Sequence, residues 1–322
     1  MSLDLEVALP TKQGIRDQAT ALGIDLVGFC DWHALEEVAP EYDKPSQLSH
    51  FHRTLLVLAR RYPSGVACSP DEALRQYAMG RTARHLEEAT ASLAYWLEER
   101  DCMAALLSAL LPDLRRQPMG YATPAGQGSL LLRLGAVQSG LGTLGLNEMI
   151  LTPQYGPRLF LAGIITDLEL AADEAMEEEL CPGLEGCGRC AAVCPAGAIP
   201  SEAPVGSSLQ DIRALDNEAC ATACQPHGPQ RMVEHLKHIF DSSSGEEAAS
   251  KIRCAETQQL FYHLTVMRQG AYTGCARCEL VCPVGEDYPA IEGSAVRQRD
   301  LAADAPPSVD GGTVRVRNVH GL

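Results

Sequence analysis

The chain has 322 residues, of which 26 are basic and 42 acidic, giving a formal charge of −16. That length supports a substantial core and two domains, while the acidic balance argues against a nucleic-acid surface, which needs clustered Lys and Arg. The N-terminus MSLDLEVALPTKQG lacks a basic start followed by an apolar run, and no apolar stretch reaches membrane-spanning length. The expectation is therefore a soluble, cytoplasmic protein without membrane contact.

In chain order, residues 12–22 read as a helix and Ile24–Cys30 as a strand. Thr54–Ala59 is an apolar run suited to a buried strand. Residues 71–101 carry helical periodicity with a break expected at Gly80, their arginines on solvated faces. The pattern at 103–111 fits a helix or a strand equally. A Gly-rich stretch at 119–128 precedes a helix over 129–139, a turn at Gly140–Gly145 and a short strand at Met149–Leu151. A second turn at Tyr155–Arg158 leads into the strand Leu159–Thr166. This mixture predicts an α+β fold: a mixed α/β domain over 1–172, a cysteine-rich domain over 173–292 and a polar tail over 293–322. The acidic segment Asp173–Glu179 marks the boundary, Asp241–Ser250 reads as a loop, and Thr313–Val316 reads as one short strand in the tail.

Thirteen cysteines, concentrated late in the chain, favour metal ligation over a disulfide scaffold. Gly186–Pro195 and Gly274–Pro283 are an internal repeat, each reading Cys-x2-Cys-x3-Cys-Pro, with an offset of 88 residues at every cysteine. These are the last three cysteines of a bacterial ferredoxin run, in which the final cysteine serves the other cluster. Cys-x2-Cys wraps a loop around one cubane, and Cys-x3-Cys-Pro starts a helix that aims its cysteine at the second. The repeat supplies Cys187, Cys190, Cys194, Cys275, Cys278 and Cys282. Cys181 joins them across a three-residue insertion, with Leu184 at the usual position. The last ligand comes from Cys220, Cys224 or Cys254; Cys220 is preferred because it follows the first run after an intervening loop. The assignment is Cys181, Cys187, Cys190 and Cys282 on one [4Fe–4S] cluster, and Cys194, Cys220, Cys275 and Cys278 on the other. Zinc also uses Cys-x2-Cys pairs, but the Cys-Pro ending, the x3 spacing and the duplication favour iron–sulfur. Cys30, Cys68 and Cys102 read as small buried hydrophobes, and His235 and His238 as one face of a surface helix.

The stretch Gly140–Asn147, then Leu151–Leu159, then Thr166–Leu168 resembles the core of the corrinoid-dependent reductases, namely the epoxyqueuosine reductases and reductive dehalogenases. Tyr77–Arg81 is similar to a further epoxyqueuosine reductase segment. The resemblance spans roughly 10–290 and implies a base-off cobalamin reduced through the two clusters, with Gly140, Gly142, Gly145, Asn147 and Tyr155 near it. Glycines let backbone approach a large macrocycle closely. The family's acidic proton donor has no counterpart: its position falls near Gly126, and no Asp or Glu occurs from 114 to 147. Tyr121 is the phenolic alternative in that segment. The twin-arginine signal of respiratory dehalogenases is also not seen. The resulting expectation is an iron–sulfur reductase acting on a small molecule, fed by a donor such as ferredoxin or flavodoxin. The alternative is an electron-transfer or corrinoid-handling protein without substrate chemistry of its own.

Overall fold

The computed structural model describes residues 9–39, 44–48, 52–69, 72–107, 130–199, 215–216, 219–220, 223, 229–262 and 275–293. Tyr121, Gly126, Cys224 and Thr313–Val316 lie outside the described residues.

The fold is α+β, organised on an antiparallel sheet of order β1-β2-β6-β3: β1 (Leu26–Asp31), β2 (Thr54–Arg61), β6 (Leu159–Thr166) and β3 (Ala104–Leu107). The strand β2 is apolar without alternation because both its faces are covered. Leu55, Val57 and Ala59 meet α2 (Trp32–Val38) and α5 (Leu130–Gln138) on one side. Leu56 and Leu58 meet α1 (Lys12–Ala21) and α4 (Glu72–Glu98) on the other, the short α3 (Ser64–Cys68) preceding α4 in the chain.

The caps follow from local chemistry. Thr11 accepts from the Gly14 amide at 3.1 Å to start α1. Asp31 accepts from the amides of His33 and Ala34 to start α2. Asp101, at φ 59, ends α4 in the left-handed region. The expected break at Gly80 does not occur, and α4 runs unbroken for 27 residues. A mid-helix glycine costs about 1 kcal/mol, while burying a leucine contributes about 1.5–3 kcal/mol; α4 buries Leu86, Leu93 and Leu97. The ambiguous 103–111 segment contains the edge strand β3.

Beyond α5, the turn read at 140–145 contains β4 (Thr143–Leu144), paired with β5 (Ile150–Leu151) as a small hairpin. The acidic segment is largely exposed, but Asp173 ties back: it pairs with Lys12 and Arg16 and accepts from the Phe29 amide at 3.1 Å. The cysteine-bearing part has short helices α6 (Gly183–Gly186), α7 (Arg189–Val193) and α11 (Arg277–Leu280), with α8 (Pro229–Phe240), α9 (Gly245–Arg253) and α10 (Ala255–Phe261) between them. The helix α9 corrects the loop expected at 241–250. Ser244 caps it by accepting from the Glu247 amide at 3.1 Å, and Glu247 reaches back to the Ser243 amide at 2.8 Å. His235 is likewise corrected: it is buried and bonded to Thr257 Oγ1 at 2.7 Å, while His238 is exposed. No helix among the described residues is long and apolar enough to cross a membrane.

Candidate metal centre

The repeat is visible in the backbone. Cys187 is followed by Gly188 at φ 61 and then α7; Cys275 is followed by Ala276 at φ 44 and then α11. A left-handed residue in each copy turns the chain sharply out of the first thiol position and into the helix that carries the second. The two helices pack against each other.

The thiols fall into two neighbourhoods. Burial pushes Cys190 up to about 11, and the thiols that act on it are Cys181, Cys282 and Cys187. Burial also raises Cys282, opposed by the Val284 amide and the Arg158 guanidinium, with Cys181 and Cys187 nearby. Cys278 is raised well above the ordinary thiol range, chiefly by burial and then by Glu279, Cys220 and Cys275. Cys194 accepts from the Ala198 amide at 3.3 Å and packs on an apolar cluster of Leu146, Ala198, Ile199 and Leu215, which also touches Cys181, Cys190, Cys220 and Cys278. Soft thiols in an apolar shell suit iron–sulfur ligation once iron offsets the cost of the buried thiolates. Among the described residues, no group of three or more His, Cys, Asp or Glu stands close enough to share one metal ion, and no disulfide joins the cysteines.

Cys254 stands apart. It is exposed, and its thiol meets Thr257 Oγ1 at 3.3 Å, a contact that lowers its pKa. Cys30 and Cys102 are buried, and Cys68 is half-buried.

The glycine block is held by the chain's own atoms. A Cβ on Gly140 would stand 2.1 Å from the Glu174 carbonyl oxygen, and one on Gly142 would stand 1.9 Å from that of Leu151. A Cβ on Gly145 would lie 2.6 Å from Asn147 Oδ1. Internal packing therefore accounts for these three glycines, and on those faces they offer no cradle for a macrocycle. Tyr155 packs on the core with the Arg61 guanidinium 5.7 Å from its ring centre. Asn147 is buried, and its Nδ2 has no hydrogen-bond partner of ordinary geometry. Its amide nevertheless lies close enough to Cys278 to favour the thiolate there.

Four further residues, Arg158, Tyr62, Glu279 and Glu148, were not predicted as site residues and lie beside the thiols or the segments that carry them. Arg158, 1% exposed, donates from Nη1 to the carbonyls of Cys282 at 2.9 Å and Glu279 at 3.3 Å. Its Nη2 reaches the Val284 carbonyl at 2.6 Å and Asp287 Oδ1 at 2.5 Å, and its Nε reaches Asp287 Oδ2 at 2.9 Å. The turn before it also docks directly: the Glu286 amide donates to the Pro153 carbonyl at 3.0 Å and the Asp287 amide to that of Gln154 at 3.3 Å. The Tyr62 hydroxyl donates to buried Glu279 Oε2 at 2.6 Å, and burial pushes that carboxyl up to about 7. Glu148, at φ 57 and buried, accepts from the Leu215 amide at 2.8 Å and stands 3.6 Å from Arg133. The signal for Arg158 was available in its motif, Tyr-Gly-Pro-Arg, but nothing in the motif names carbonyls more than 120 positions away as its partners.

No protein-family model matches the chain. It is 37% identical to a tetrachloroethene reductive dehalogenase of Dehalobacter restrictus over 107 residues, covering 33% of this chain and 18% of that protein. Its homologues are epoxyqueuosine reductases and reductive dehalogenases. An epoxyqueuosine reductase of Bacillus cereus is 26% identical over 211 residues, covering 58% of this chain and 52% of the relative. The chain thus spans about half the length of that relative and under a fifth of the dehalogenase. Among solved structures, a catabolic reductive dehalogenase superposes with a TM-score of 0.51 at 16% identity, over 92% of this chain and 36% of that one. An epoxyqueuosine reductase solved with a tRNA stem loop gives 0.48 at 19% identity, over 85% of this chain and 65% of that one. Net charge argued against a nucleic-acid partner; epoxyqueuosine reductases are nevertheless among the named homologues, and the solved epoxyqueuosine reductase holds a tRNA stem loop.

Proposed function

We propose that the chain is an iron–sulfur oxidoreductase that carries two [4Fe–4S] clusters and delivers electrons to a reductive centre beside the Gly140–Asn147 block. The observation that carries this reading is the sorting of the thiols. Cys181, Cys187, Cys190 and Cys282 interact as one set, and Cys220, Cys275 and Cys278 as another; Cys194 shares an apolar cluster with members of both, and its place in the second set follows from the repeat spacing. Each cluster takes four thiolates, and exchange of the last cysteine between runs is how two-cluster ferredoxins share ligands. Held in these positions, the clusters would supply one-electron transfer. The chain's part is to exclude water with the Leu146–Leu215 apolar shell and to fix the thiols through Arg158, Glu148 and Asn147.

The domain arrangement proposed is a sheet-bearing part over 1–172, a cluster-bearing part over 173–292 and a tail. Cobalamin as the reductive centre rests on the resemblance and the named homologues, not on the glycine faces. The substrate class follows the homologues: an organohalide or a modified nucleoside in RNA, with a ferredoxin or flavodoxin as donor. A second reading, an electron-transfer or corrinoid-handling protein, is favoured by one feature. The first carboxylate after the acid-free stretch 114–147 is Glu148, and it is engaged with Leu215 and Arg133 rather than offered as a proton donor.

The test is to add cobalamin to the anaerobically reconstituted protein and follow the visible spectrum, then add a haloaromatic or an epoxyqueuosine-bearing tRNA. Binding with turnover supports the reductase. Binding without turnover of either substrate supports the carrier, and no spectral change on adding cobalamin removes the corrinoid from the account.

A further inference from the structure

The chain is acidic, yet its segment Leu74–His85 carries Arg75, Arg81 and Arg84 and no acidic residue. That segment lies in the N-terminal half of α4, and its faces differ. Ala78 and Met79 turn inward and pack with Tyr62, Val66 and Ala276. Ala276 lies between Cys275 and Cys278, so this part of α4 rests on the second cysteine run. Leu74, Tyr77 and Arg81 recur at the spacing of a single helical face, and that face meets solvent: Leu74 is 54% exposed, Tyr77 is 63% exposed, and Arg81 is exposed. Arg277, the residue after Ala276, is exposed as well. An exposed leucine and tyrosine and two exposed arginines thus border the segment that carries Cys275 and Cys278, whose residues are both half-buried.

We propose that this face of α4, with Arg277, is the docking surface for an acidic electron-transfer protein, a ferredoxin or flavodoxin, that reduces the clusters. The inference rests on the two-cluster reading above and names the place where its electrons enter. Charge complementarity selects the partner. On a chain of net charge −16, an acid-free stretch beside a cysteine run attracts an acidic patch locally while the rest of the surface repels it. Such an arrangement steers the encounter and fixes its orientation. Redox encounters lie at the small end of interface sizes, below about 1,200 Å², so a single helix face with one neighbouring arginine is enough. Tyrosine and arginine are enriched at such contacts. A nucleic acid would need a longer run of phosphate contacts than two exposed arginines offer. In the step itself one electron leaves the reduced carrier and enters an oxidised cluster. The carrier is oxidised, the cluster is reduced, and no bond or proton moves.

The experiment reconstitutes wild-type protein, R81E, Y77S and K237E anaerobically. Each is mixed in a stopped-flow spectrometer with pre-reduced ferredoxin freed of dithionite, and separately with dithionite alone. In wild-type protein the second-order rate of cluster reduction by ferredoxin is expected to fall as salt rises. R81E is expected to lower that rate about tenfold at low salt and to flatten its salt dependence. Y77S is expected to lower it at high salt as well, because the contact it removes is apolar. Lys237 is exposed on α8, and K237E makes the same change in net charge there, so its rate is expected to match the wild type. Dithionite is expected to reduce all four alike. Wild-type rates with ferredoxin in both R81E and Y77S would overturn the proposal, as would equal slowing in R81E and K237E, or slowing with dithionite too. An RNA stem loop that binds wild-type protein but not R81E, with ferredoxin rates unchanged, would assign the face to nucleic acid instead. Wild-type clusters that dithionite reduces but neither ferredoxin nor flavodoxin does would remove the acidic carrier and leave the two-cluster reading standing. Wild-type protein with no pair of cluster signals after dithionite overturns that reading and this proposal with it.

Discussion

At Glu148 three costs coincide. The residue is not glycine yet sits at φ 57; its carboxylate is buried; and Oε2 has no hydrogen-bond partner. Burial raises its pKa, opposed by the Leu215 amide and by Arg133. A raised folded-state pKa means that its contribution to stability is full below the ordinary carboxylate range and is lost as pH rises through the folded value. What it supplies is placement: it fixes Leu215, whose neighbour Asp216 accepts from the Cys220 amide at 2.9 Å. E148Q keeps an acceptor for Leu215 and removes the buried charge, so its denaturation free energy near neutral pH is expected to match or exceed that of the wild type. E148A leaves the Leu215 amide without its acceptor, while Arg133 keeps the Glu148 backbone carbonyl. It is expected to lose about 1–3 kcal/mol and to bind less iron. Equal losses in the two variants would contradict this account.

The β4–β5 hairpin and the turn after it show why an element can be read from sequence while its purpose is not. Local patterns identified strands near β2 and β6, because a buried strand declares itself by an unbroken apolar run such as Leu55–Ala59. They also located the glycine turn. They failed at α9, where Ser243-Ser244-Gly245 reads as loop chemistry although Ser244 caps the helix and Glu247 reaches back to the Ser243 amide. They failed again at Gly80, where tertiary burial outweighed propensity. The partners of Arg158 and Glu148 depend on chain crossings of 121 and 67 residues, which no local pattern encodes. Gly156 tests the docking of the turn: it sits at φ +52, and a Cβ there would stand 2.0 Å from the Val284 carbonyl oxygen. Gly156→Ala combines a left-handed strain with that clash, and is expected to cost about 1–3 kcal/mol in thermal denaturation. An unchanged melting temperature would mean that the turn does not press on the second cysteine run.

Across the whole molecule, the cysteine-bearing part is tied to the sheet-bearing part beside each set of thiols. Arg158 holds the backbone at Cys282, Asn147 lies against Cys278, and Glu148 anchors the segment leading to Cys220. The Thr143 hydroxyl accepts from the Leu180 amide at 3.0 Å, just ahead of Cys181. A free electron carrier would need none of these ties. Their combined effect is to hold the cysteine-bearing part against the hairpin and the Gly140–Asn147 block, the arrangement that the proposed delivery to a second redox centre would need. The most direct test of the account is iron and acid-labile sulfide analysis with EPR spin counting on the anaerobically reconstituted, dithionite-reduced protein, run beside C220A and C254A. The account predicts about eight irons and two cluster signals in the wild type and in C254A, and loss of one cluster in C220A. About four irons in the wild type, or C220A retaining both clusters while C254A loses one, would contradict it.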